Sequence, residues 1–379
     1  MDVLQIDRAL KSTILHNLGR QKVSMLVGAR RIGKTALLKA IAKETDLKVL
    51  QLNGEDADTI ALLEKESIAN YKRLLQGYNL LIVDEAPFIP NIGQKAKLMI
   101  DAIEPLHIIL TGSSAFDLVQ QGEPLTGRTI TYNMYPLAQM ELNAYENLLT
   151  TRQMLEERLI FGGYPEAITS ANLKEKKAYL TELVNTYLLK DLLSFEDIRQ
   201  PQKITDLLKL IAMQIGGEVS FEELGRKLGI SKNTVERYLD LLSKVFIIYR
   251  RYGFSRNLRK EVAKSQKWYF YDNGVRNAII NQFQPLSLRQ DTGALWENYL
   301  MAERMKFHSY NEEAVNSYFW RTYDRQKIDL VEENEGFLRA FECKWNQTKS
   351  KFPVAFSNAY PEATFEVINQ DSYLDWIGG

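Results

Sequence analysis

Strand-like apolar runs alternate with helical periodicity over the first third of the chain. The predicted strands lie at 23–27, 48–53, 79–83, 107–111 and 130–133. Leu37, Leu38 and Ile41 have the spacing of one helix face, and further helices are predicted over 6–18 and 60–75. Strands that alternate with helices form parallel sheets, because each connection crosses back over the sheet. The pattern therefore predicts an α/β domain with a parallel sheet over residues 1–135.

A glycine loop links the first predicted strand to the next helix. Residues 28–35 are Gly-Ala-Arg-Arg-Ile-Gly-Lys-Thr, which is the spacing of a phosphate-binding P-loop. Gly28 and Gly33 leave room for backbone N–H groups to surround a phosphate chain at the positive end of a helix dipole. Lys34 is expected to reach the β- and γ-phosphates, and the Thr35 hydroxyl to bind Mg2+. The alternative is an accidental glycine turn. The flanking strand and helix favour an ATP site formed by Gly28, Ala29, Arg30, Arg31, Ile32, Gly33, Lys34, Thr35 and Ala36.

Polar residues follow the third and fourth predicted strands. Ligands of open α/β sheets bind beyond the carboxyl ends of the strands, so Asp84 and Glu85 are expected beside the phosphates. Asp84 is the candidate Mg2+ ligand, through water, and Glu85 is the candidate base that polarises the attacking water. A solvated turn is the alternative for this pair. After the fourth strand, Ser113 is the first candidate for contact with the γ-phosphate or the water, and Thr111 is the second.

Arg128 stands just before the fifth predicted strand, between Gly127 and Thr129. An arginine finger contacts the γ-phosphate from within the chain or across a subunit boundary, and it stabilises the charge of the transition state. Arg128 is the candidate for that catalytic role. The alternative is an ordinary surface arginine.

Composition narrows the class of protein. A chain of 379 residues exceeds one ordinary core, so two or three domains are expected. Basic and acidic residues balance at 48 each, so any surface that binds nucleic acid has to be a local cluster of basic residues.

The single cysteine, Cys343, excludes an internal disulfide, and the three histidines show no zinc spacing. Charges within residues 1–8, and the lack of any apolar run of about 18 residues, favour a cytoplasmic protein that does not enter membranes.

The middle of the chain is predicted to be helical. A helical lid or linker is expected over 136–200, with a domain junction near Pro201, because proline resists continuation of a helix. Residues 201–272 predict a winged helix. Ser220 opens a capping box, Gly229 ends that helix and Ser231 caps the next. The predicted buried face of the second helix consists of Val235, Tyr238, Leu239 and Leu242.

A basic stretch follows the strand predicted at 245–249 and is interpreted as the wing of this winged helix. Its basic residues are Arg250, Arg251, Arg256, Arg259, Lys260, Lys264 and Lys267, against one acid, Glu261. Phosphate contacts supply much of the affinity for DNA, so this wing predicts DNA binding. Glu236 and Asp240, on the exposed face of the second helix, favour a winged helix that contacts protein instead. Both interpretations stay open.

Charged residues recur in order over 273–379, where a mixed α/β C-terminal domain is predicted. Glu297 lies on a predicted helix, Asp329 on a strand, and Glu342 and Lys344 on the next strand. Alternation places Glu342 and Lys344 on one strand face, and a turn at Gly336 sets Asp329 roughly opposite Glu342. Carboxylates bind Mg2+, and a lysine can orient the water that attacks a phosphate. Glu297, Asp329 and Glu342 are therefore candidate metal ligands, and Lys344 is a candidate catalytic residue. A surface ion pair is the alternative.

These residues carry two resemblances. Asp329, Glu342 and Lys344 resemble the Asp, Glu-x-Lys pattern of restriction-endonuclease-like folds, with Glu297 similar to the helix carboxylate of junction resolvases. The whole chain resembles bacterial and archaeal AAA-type ATPases that join a P-loop domain to a C-terminal domain of uncharacterised role. The matching stretches are 28–35 (GARRIGKT), 84–85 (DE), 110–114 (LTGSS), 127–128 (GR), 161–166 (FGGYPE), 269–274 (YFYDNG), 293–298 (GALWEN) and 341–344 (FECK). This resemblance implies an AAA-type nucleotide domain with Arg128 at its site.

The leading hypothesis is an ATP-hydrolysing enzyme that acts on nucleic acid, with a nuclease-like domain gated by ATP. Its rival is a nucleotide-dependent switch that controls protein assembly, in which the nuclease-like fold is an inactive scaffold. ATP and Mg2+ are the expected cofactors. DNA is the expected partner of the winged helix, and a homo-oligomer is an open expectation.

Overall fold

The computed structural model describes residues 6–113, 127–188, 200–255, 266–322 and 326–378. The chain divides into two compact units. The first comprises Gln5–Tyr135 with Lys244–Phe246, and the second comprises Pro136–Ser243 with Ile247–Gly379. The segments predicted as 136–200, 201–272 and 273–379 therefore fall in the second unit except for Lys244–Phe246, whereas the segment predicted as 1–135 corresponds to most of the first.

The first unit is a parallel sheet with helices on its faces. Its helices are α1 (Leu10–Asn17), α2 (Lys34–Glu44), α3 (Ala57–Glu64), α4 (Ile68–Leu74) and α5 (Ile92–Ala102), with a 3-10 helix at Ala86–Phe88. Its strands are β1 (Val23–Val27), β2 (Val49–Asn53), β3 (Leu80–Asp84), β4 (His107–Gly112) and β5 (Thr129–Asn133). The strand order is β2-β3-β4-β1-β5, and every pairing is parallel. The predicted α/β parallel sheet is confirmed.

The inner strands explain the uninterrupted apolar runs of the sequence. All residues of β1 are buried, as are the first four of β3, because helices cover both faces of the sheet. The register pairs Val27 with Gly112 and Val83 with Leu110. Strands β1, β3 and β4 therefore end at the same edge of the sheet, and the residues that follow them lie together.

The helix predicted over 60–75 is two helices in the structure. Asp56 caps α3 by accepting a hydrogen bond from the Asp58 N–H at 3.2 Å. Ser67 has an extended backbone and caps α4 by accepting from the Asn70 N–H at 3.2 Å. A serine that binds this N–H group begins a new helix instead of continuing the old one. Apolar spacing alone does not reveal this break.

The second unit combines many short helices with one mixed sheet. The helices after Tyr135 are α6 (Gln139–Leu142), α7 (Leu148–Phe161), α8 (Pro165–Thr169), α9 (Leu173–Glu182), α10 (Pro201–Met213), α11 (Phe221–Leu228), α12 (Lys232–Lys244), α13 (Asn273–Ile279), α14 (Thr292–Tyr310), α15 (Val354–Ala359) and α16 (Tyr373–Trp376), with a π-helix at Leu183–Leu188 and a 3-10 helix at Leu286–Leu288. The strands are β6 (Ile248–Gly253), β7 (Gln266–Phe270), β8 (Asn316–Arg321), β9 (Lys327–Asn334), β10 (Phe337–Cys343) and β11 (Thr364–Ile368).

The sheet of the second unit joins elements that the sequence assigns to two domains. Its strand order is β11-β10-β9-β8-β6-β7. Strands β8, β9 and β10 form an antiparallel meander, and β11 runs parallel to β10. The β6–β7 pair, predicted as a wing, continues this sheet because Tyr252 and Gly253 pair with Tyr318 and Phe319. The boundary predicted at 272 therefore falls among the elements of one sheet.

Helices α11 and α12 occupy the stretch in which the sequence predicts a helix-turn-helix. Ser220 accepts from the Glu223 N–H at 3.3 Å, and Ser231 accepts from the Thr234 N–H at 3.1 Å. Gly229 ends α11 with a φ of +67°, a left-handed conformation that favours glycine. Ser220 and Ser231 are thus confirmed as N-caps and Gly229 as the residue that ends α11; of the predicted capping box, the described contacts include the Ser220 half, while Glu223 pairs with Lys227. The predicted buried face is also confirmed, since α12 buries Val235, Tyr238, Leu239 and Leu242.

The glycine turn at Gly162–Gly163 packs against Asp272. The Gly163 N–H donates to Asp272 Oδ2 at 2.6 Å, and Asp272 Oδ1 accepts from the Val275 N–H at 2.9 Å to cap α13. A Cβ at Gly162 would lie 2.1 Å from Asp272 Oδ1, and a Cβ at Gly274 would lie 2.1 Å from the carbonyl oxygen of Phe161. The FGGYPE and YFYDNG stretches thus form one structural joint in which glycine permits close backbone approach.

Glu332 anchors α14 to β9. Arg304 Nε and Nη2 donate to its two carboxylate oxygens at 2.8 and 2.9 Å, and His308 Nε2 lies 2.7 Å from Oε1. Burial by itself raises the pKa of Glu332, but hydrogen bonds from Arg304 and His308 outweigh it and lower that pKa to about 2. The charged carboxylate is therefore the form that the folded state stabilises.

We expect Glu332→Gln to destabilise the fold by about 3 kcal/mol near neutral pH, because it leaves the Arg304 guanidinium buried without its carboxylate. In the wild-type protein the contribution of Glu332 should be full above the ordinary pKa of 4.5 and disappear as pH falls toward 2, since the folded-state pKa is the lower one. Urea unfolding at pH 7 and pH 3 measures both effects. Glu335→Gln, in an exposed turn, is the control. Equal stability of Glu332→Gln and wild type at pH 7 would contradict this role.

Candidate functional site

The loop between β1 and α2 fits tightly against the end of β5. A Cβ at Gly28 would lie 2.2 Å from the carbonyl oxygen of Met134, so a side chain there would displace the backbone. Gly33 precedes α2 with a φ of +99°, which L side chains rarely adopt. Gly28 is thus required because a side chain would collide with the Met134 carbonyl oxygen, and Gly33 is required because of its left-handed backbone conformation.

Lys34 lies inside the curve of this loop. Its Nζ donates to the carbonyl oxygens of Gly28 and Ala29 at 2.8 and 3.0 Å, and only 5% of the residue is exposed. A nearly buried ammonium group at the first residue of α2 adds to the positive end of the helix dipole. The position of Lys34 fits the predicted contact with a phosphate chain.

A chain of hydroxyl and carboxylate groups connects the loop to the ends of β3 and β4. Thr35 Oγ1 donates to Asp84 Oδ2 at 2.6 Å, and Thr111 Oγ1 donates to Asp84 Oδ1 at 2.5 Å. The Glu85 N–H in turn donates to Thr111 Oγ1 at 2.9 Å. The structure therefore brings Thr35 of the P-loop together with Asp84 and Glu85 at the end of β3.

Thr35 and Asp84 fit a Mg2+ ion. Both offer oxygen donors, which Mg2+ prefers, and the ion usually completes its shell with phosphate oxygens and water. The donor atoms Thr35 Oγ1 and Asp84 Oδ2 are 2.6 Å apart, so both can face one ion.

Glu85 has the surroundings of a base. It adopts a left-handed backbone conformation with a φ of +49° directly after β3. Burial raises the pKa of Glu85, while the positive charges of Lys34 and Arg30 lower it. Its carboxylate therefore remains partly shielded from water yet close to the cations that would hold the phosphates.

Sequence reasoning missed two residues that shape this site. Gly54, directly after β2, donates its N–H to the Asp84 carbonyl oxygen at 2.8 Å, and a Cβ there would lie 2.2 Å from the Glu85 carbonyl oxygen. The sequence feature that could have indicated Gly54 is its position directly after the strand predicted at 48–53. Arg8, which precedes α1, donates a hydrogen bond to the carbonyl oxygen of Ile32 in the P-loop. No sequence motif indicates this contact.

The structure places Ser113 near the loop and Arg128 away from it. Ser113 follows Gly112, which pairs with Val27 and accepts a hydrogen bond from the Gly28 N–H at 3.4 Å. Arg128 instead lies beside Val23 at the opposite end of β1, about 15 Å from the loop by strand rise. Its exposed side chain forms an ion pair with Asp101. Within one chain, the structure corrects the expectation that Arg128 reaches the γ-phosphate.

The C-terminal carboxylates each bind a donor of the protein. Glu297 Oε1 accepts from Tyr269 Oη at 2.6 Å and from Lys267 Nζ at 3.2 Å. Asp329 Oδ2 accepts from the Cys343 N–H at 3.0 Å, and its Oδ1 lies 3.3 Å from Lys327 Nζ. Glu342 Oε1 lies 2.7 Å from Lys344 Nζ. The structure thus surrounds the predicted acidic residues with lysines.

These carboxylates interact electrostatically with one another. Burial and then the charge of Asp329 raise the pKa of Glu342, while Lys344 lowers it. Burial also raises the pKa of Glu297, with Lys267 opposing and Asp329 adding to the rise. Among the described residues, however, no group of three or more Asp, Glu, His or Cys side chains is placed to hold a metal ion. The described residues therefore do not form the predicted metal site of Glu297, Asp329 and Glu342.

Three family models match successive parts of the chain. Residues 20–143 match an AAA domain. Residues 152–286 match a domain of unknown function, DUF8612, and residues 292–372 match another, DUF4143. The AAA match covers the P-loop, Asp84 and Glu85, and with the observed parallel sheet it supports an AAA-type P-loop ATPase fold for the first unit.

Curated relatives of the whole chain are uncharacterised. A protein of Mycobacterium tuberculosis is 25% identical over 339 residues, which are 88% of this chain and 72% of that protein. A protein of Methanocaldococcus jannaschii is 24% identical over 318 residues, which are 79% of this chain and 69% of that protein. The relatives therefore match both units without naming an activity.

Two solved structures are distantly similar. A Walker-type ATPase of Pyrococcus abyssi shares 15% identity with a TM-score of 0.49, covering 73% of this chain and 96% of that one. The Holliday junction branch migration motor RuvB of Thermotoga maritima shares 16% identity with a TM-score of 0.31, covering 65% of this chain and 90% of that one. The assignment of the AAA domain rests on its family match and its own geometry.

The predicted basic wing is only partly an exposed surface. Arg251 and Lys267 are buried, and Lys267 is paired with Glu297, which corrects their assignment to a DNA-facing wing. The physical reason is that β6 and β7 are part of the sheet, whose side chains alternate between the two faces. Arg256, Arg259, Lys260 and Lys264 lie outside the described residues. In the described part of the chain, no helix is long and apolar enough to cross a bilayer.

Proposed function

We propose that the protein binds and hydrolyses ATP, with Mg2+, at the P-loop of its AAA domain. The observation that carries the proposal is the hydrogen-bonded chain of Thr35, Asp84, Thr111 and the Glu85 N–H beside the loop that encloses Lys34. A P-loop used only as a structural turn has no need for oxygen donors and a shielded carboxylate aligned beside it. Their joint presence is what an in-line attack on a phosphate requires.

Each residue of this site has a separate task in the proposal. Lys34 and the loop N–H groups hold the phosphate chain, and Thr35 with Asp84 holds Mg2+. Mg2+ neutralises charge on the β- and γ-phosphates when bound. Glu85 accepts a proton from the attacking water, for which its raised pKa is favourable. Thr111 fixes the Asp84 carboxylate and the Glu85 backbone. Ser113, one residue after the Gly112 that pairs with Val27, is assigned the contact with the γ-phosphate.

Phosphate release from ATP by the full chain, with Mg2+ and with EDTA, tests this function. The expected result is turnover that requires Mg2+. Binding of ATP without any turnover would favour the rival, in which the nucleotide state acts as a switch for protein assembly.

We propose further that ATP turnover controls an action of the second unit on nucleic acid. Helix α14, the β8–β9–β10 meander, α15 and the parallel strand β11 follow one another in the order expected of a restriction-endonuclease-like fold. The helix-turn-helix exposes Lys232, Asn233 and Arg237 on α12, which supports a nucleic-acid contact. Arg128 retains its role in this proposal only if it acts on the site of a second subunit.

A specific observation favours the rival role of the second unit as a scaffold. Lys267, Lys327 and Lys344 already occupy oxygens of Glu297, Asp329 and Glu342. A metal ion would have to displace at least some of these cations. The nuclease hypothesis and the scaffold hypothesis predict different effects on stability when one carboxylate charge is removed.

Asp329→Asn distinguishes a metal-dependent nuclease from a scaffold. In a nuclease, Mn2+-dependent cleavage of labelled branched DNA should fall to background, because carboxylate ligands hold the ion. Without metal the variant should melt at or slightly above the wild-type temperature, since the Asp329 charge raises the pKa values of Glu297 and Glu342. Glu333→Gln, on the same strand, is the control. Destabilised Asp329→Asn together with no cleavage by wild type would mean that the charges form structural ion pairs.

A further inference from the structure

Arg8 is a buried arginine in the segment before α1. Only 8% of the residue is exposed. Its Nη1 donates to the carbonyl oxygen of Ile32 at 2.6 Å, and its Nη2 donates to the carbonyl oxygen of Tyr135 at 2.6 Å. Ile32 belongs to the P-loop and Tyr135 follows β5. One guanidinium group therefore joins the phosphate-binding loop to a segment far from it in sequence.

The bond to Ile32 determines which way the next peptide N–H points. Across a trans peptide, the C=O of one residue and the N–H of the next point in opposite directions. With the Ile32 oxygen turned toward Arg8, the Gly33 N–H is turned away from it. In a P-loop the backbone N–H groups line the phosphate cradle, so the direction of the Gly33 N–H decides whether it can bind a phosphate there.

Glycine makes this peptide easy to rotate. Gly33 has a φ of +99°, and glycine alone has ready access to such conformations and their alternatives. A Cβ built on Gly33 would lie 3.7 Å from Arg8 Nη1, so the guanidinium lies directly beside the flexible residue. Two hydrogen bonds from a planar, permanently charged group are well suited to hold one orientation.

The segment after β5 supports both ends of the loop. The Met134 N–H donates to the Val27 carbonyl oxygen at 2.8 Å, just before the loop begins. The Met134 carbonyl oxygen is the atom that a Cβ on Gly28 would strike. Through Arg8, the Tyr135 carbonyl oxygen supports the Ile32 end. The loop thus rests on two consecutive residues at the point where the chain leaves the first unit.

We propose that Arg8 is a positioning residue of the nucleotide site, which holds the Ile32–Gly33 peptide so that the Gly33 N–H binds the phosphate chain of a nucleoside di- or triphosphate. This inference rests on the proposed ATP function and deepens it. Affinity for the phosphate chain then depends on a residue outside the P-loop motif and on its contact with Tyr135.

Arg8→Met and Arg8→Lys in the full chain test the proposal. Methionine keeps the apolar stem and removes both donors, whereas lysine keeps the charge but lacks the fork that reaches two carbonyl oxygens. The dissociation constants of ADP and Mg-ATP, the KM and kcat for ATP, and the melting temperature are measured for each variant. Arg20→Met, which alters an exposed arginine of the same unit, is the matched control.

Both Arg8 variants should bind ADP and ATP about tenfold or more weakly, as expected from the loss of one hydrogen bond to a charged phosphate. KM should rise in proportion, while kcat changes little, since Arg8 touches no reacting atom. Arg20→Met should match the wild type. A purely structural arginine would lower the melting temperature and leave the affinity of the folded protein unchanged.

Wild-type affinity in Arg8→Met, or full restoration of affinity by Arg8→Lys, would overturn the proposal. If Arg8→Met does not fold, Arg8→Lys still tests the requirement for a forked donor. Failure of the wild-type protein to bind either nucleotide would overturn the proposed function itself, which is a different outcome from equal binding by wild type and variants.

Discussion

Lys34→Ala is expected to remove most of the stabilisation of this protein by nucleotide. Mg-ATP at a hundredfold excess over its dissociation constant should raise the free energy of unfolding of the wild-type protein by about 2.7 kcal/mol, because it binds the folded state alone. Lys34 is the cation inside the loop, where its Nζ contacts the Gly28 and Ala29 carbonyl oxygens. Without it the phosphate chain loses the counter-charge that lies inside the loop, so most of the stabilisation should disappear.

Thermal unfolding with and without Mg-ATP measures this effect. Lys39→Ala, an exposed lysine on the same helix, is the matched control and should keep the full shift. The melting temperature without nucleotide reports any effect of Lys34→Ala on the fold alone. An unchanged nucleotide-dependent shift in Lys34→Ala would contradict the assignment of the P-loop.

Glu85→Gln is expected to leave ATP bound but slow its hydrolysis by a factor of about 100 to 10,000. Glutamine keeps the size of the side chain and its hydrogen-bonding oxygen, but it cannot accept a proton from water. Binding should persist because Lys34, Thr35 and the loop are unchanged. The observable result is a lowered kcat together with retained stabilisation by Mg-ATP.

The acid side of the pH profile provides a second measurement on Glu85. Burial raises the pKa of Glu85 above the ordinary 4.5, so the basic form is lost at a higher pH than for an exposed glutamate. The wild-type rate should therefore fall as pH is lowered toward that raised pKa. Glu55→Gln, an exposed carboxylate whose charge also raises the pKa of Glu85, is the control and should retain turnover. Equal turnover in Glu85→Gln and wild type would move the base elsewhere.

The common sheet of the second unit bears on how ATP turnover could be coupled to it. Strand β6 follows α12 in sequence and pairs with β8 of the meander that carries Asp329, while β7 pairs with β6 at the edge of the sheet. Lys267 on β7 also binds Glu297 on α14. Helix α12 is therefore connected to the strand of Asp329 through β6 and β8. The segments predicted as 201–272 and 273–379 therefore share one sheet.

Local patterns were sufficient for much of the first unit. The spacing of Gly28, Gly33, Lys34 and Thr35 specifies a loop and a helix start within a few residues, and an apolar run predicts β3 before Asp84. Ser220, Gly229 and Ser231 predicted helix ends for the same reason, since a capping group acts on N–H or C=O groups only a few residues away. Each of these inferences depends on interactions between residues that are only a few positions apart in the sequence.

The tertiary structure decided whatever depends on partners far away in sequence. Arg128 has the residue type of a finger, yet the parallel register of β5 places it at the amino end of β1. The sequence pattern placed Lys267 in an exposed basic wing, but β7 pairs with β6 inside the sheet and Lys267 is buried beside Glu297. Arg8 has no motif at all, and its role appears only where the fold brings Ile32 and Tyr135 within reach of one guanidinium. The physical reason is the same in each case: side-chain charge is a property of the residue, whereas burial and hydrogen-bond partners are properties of the whole folded chain.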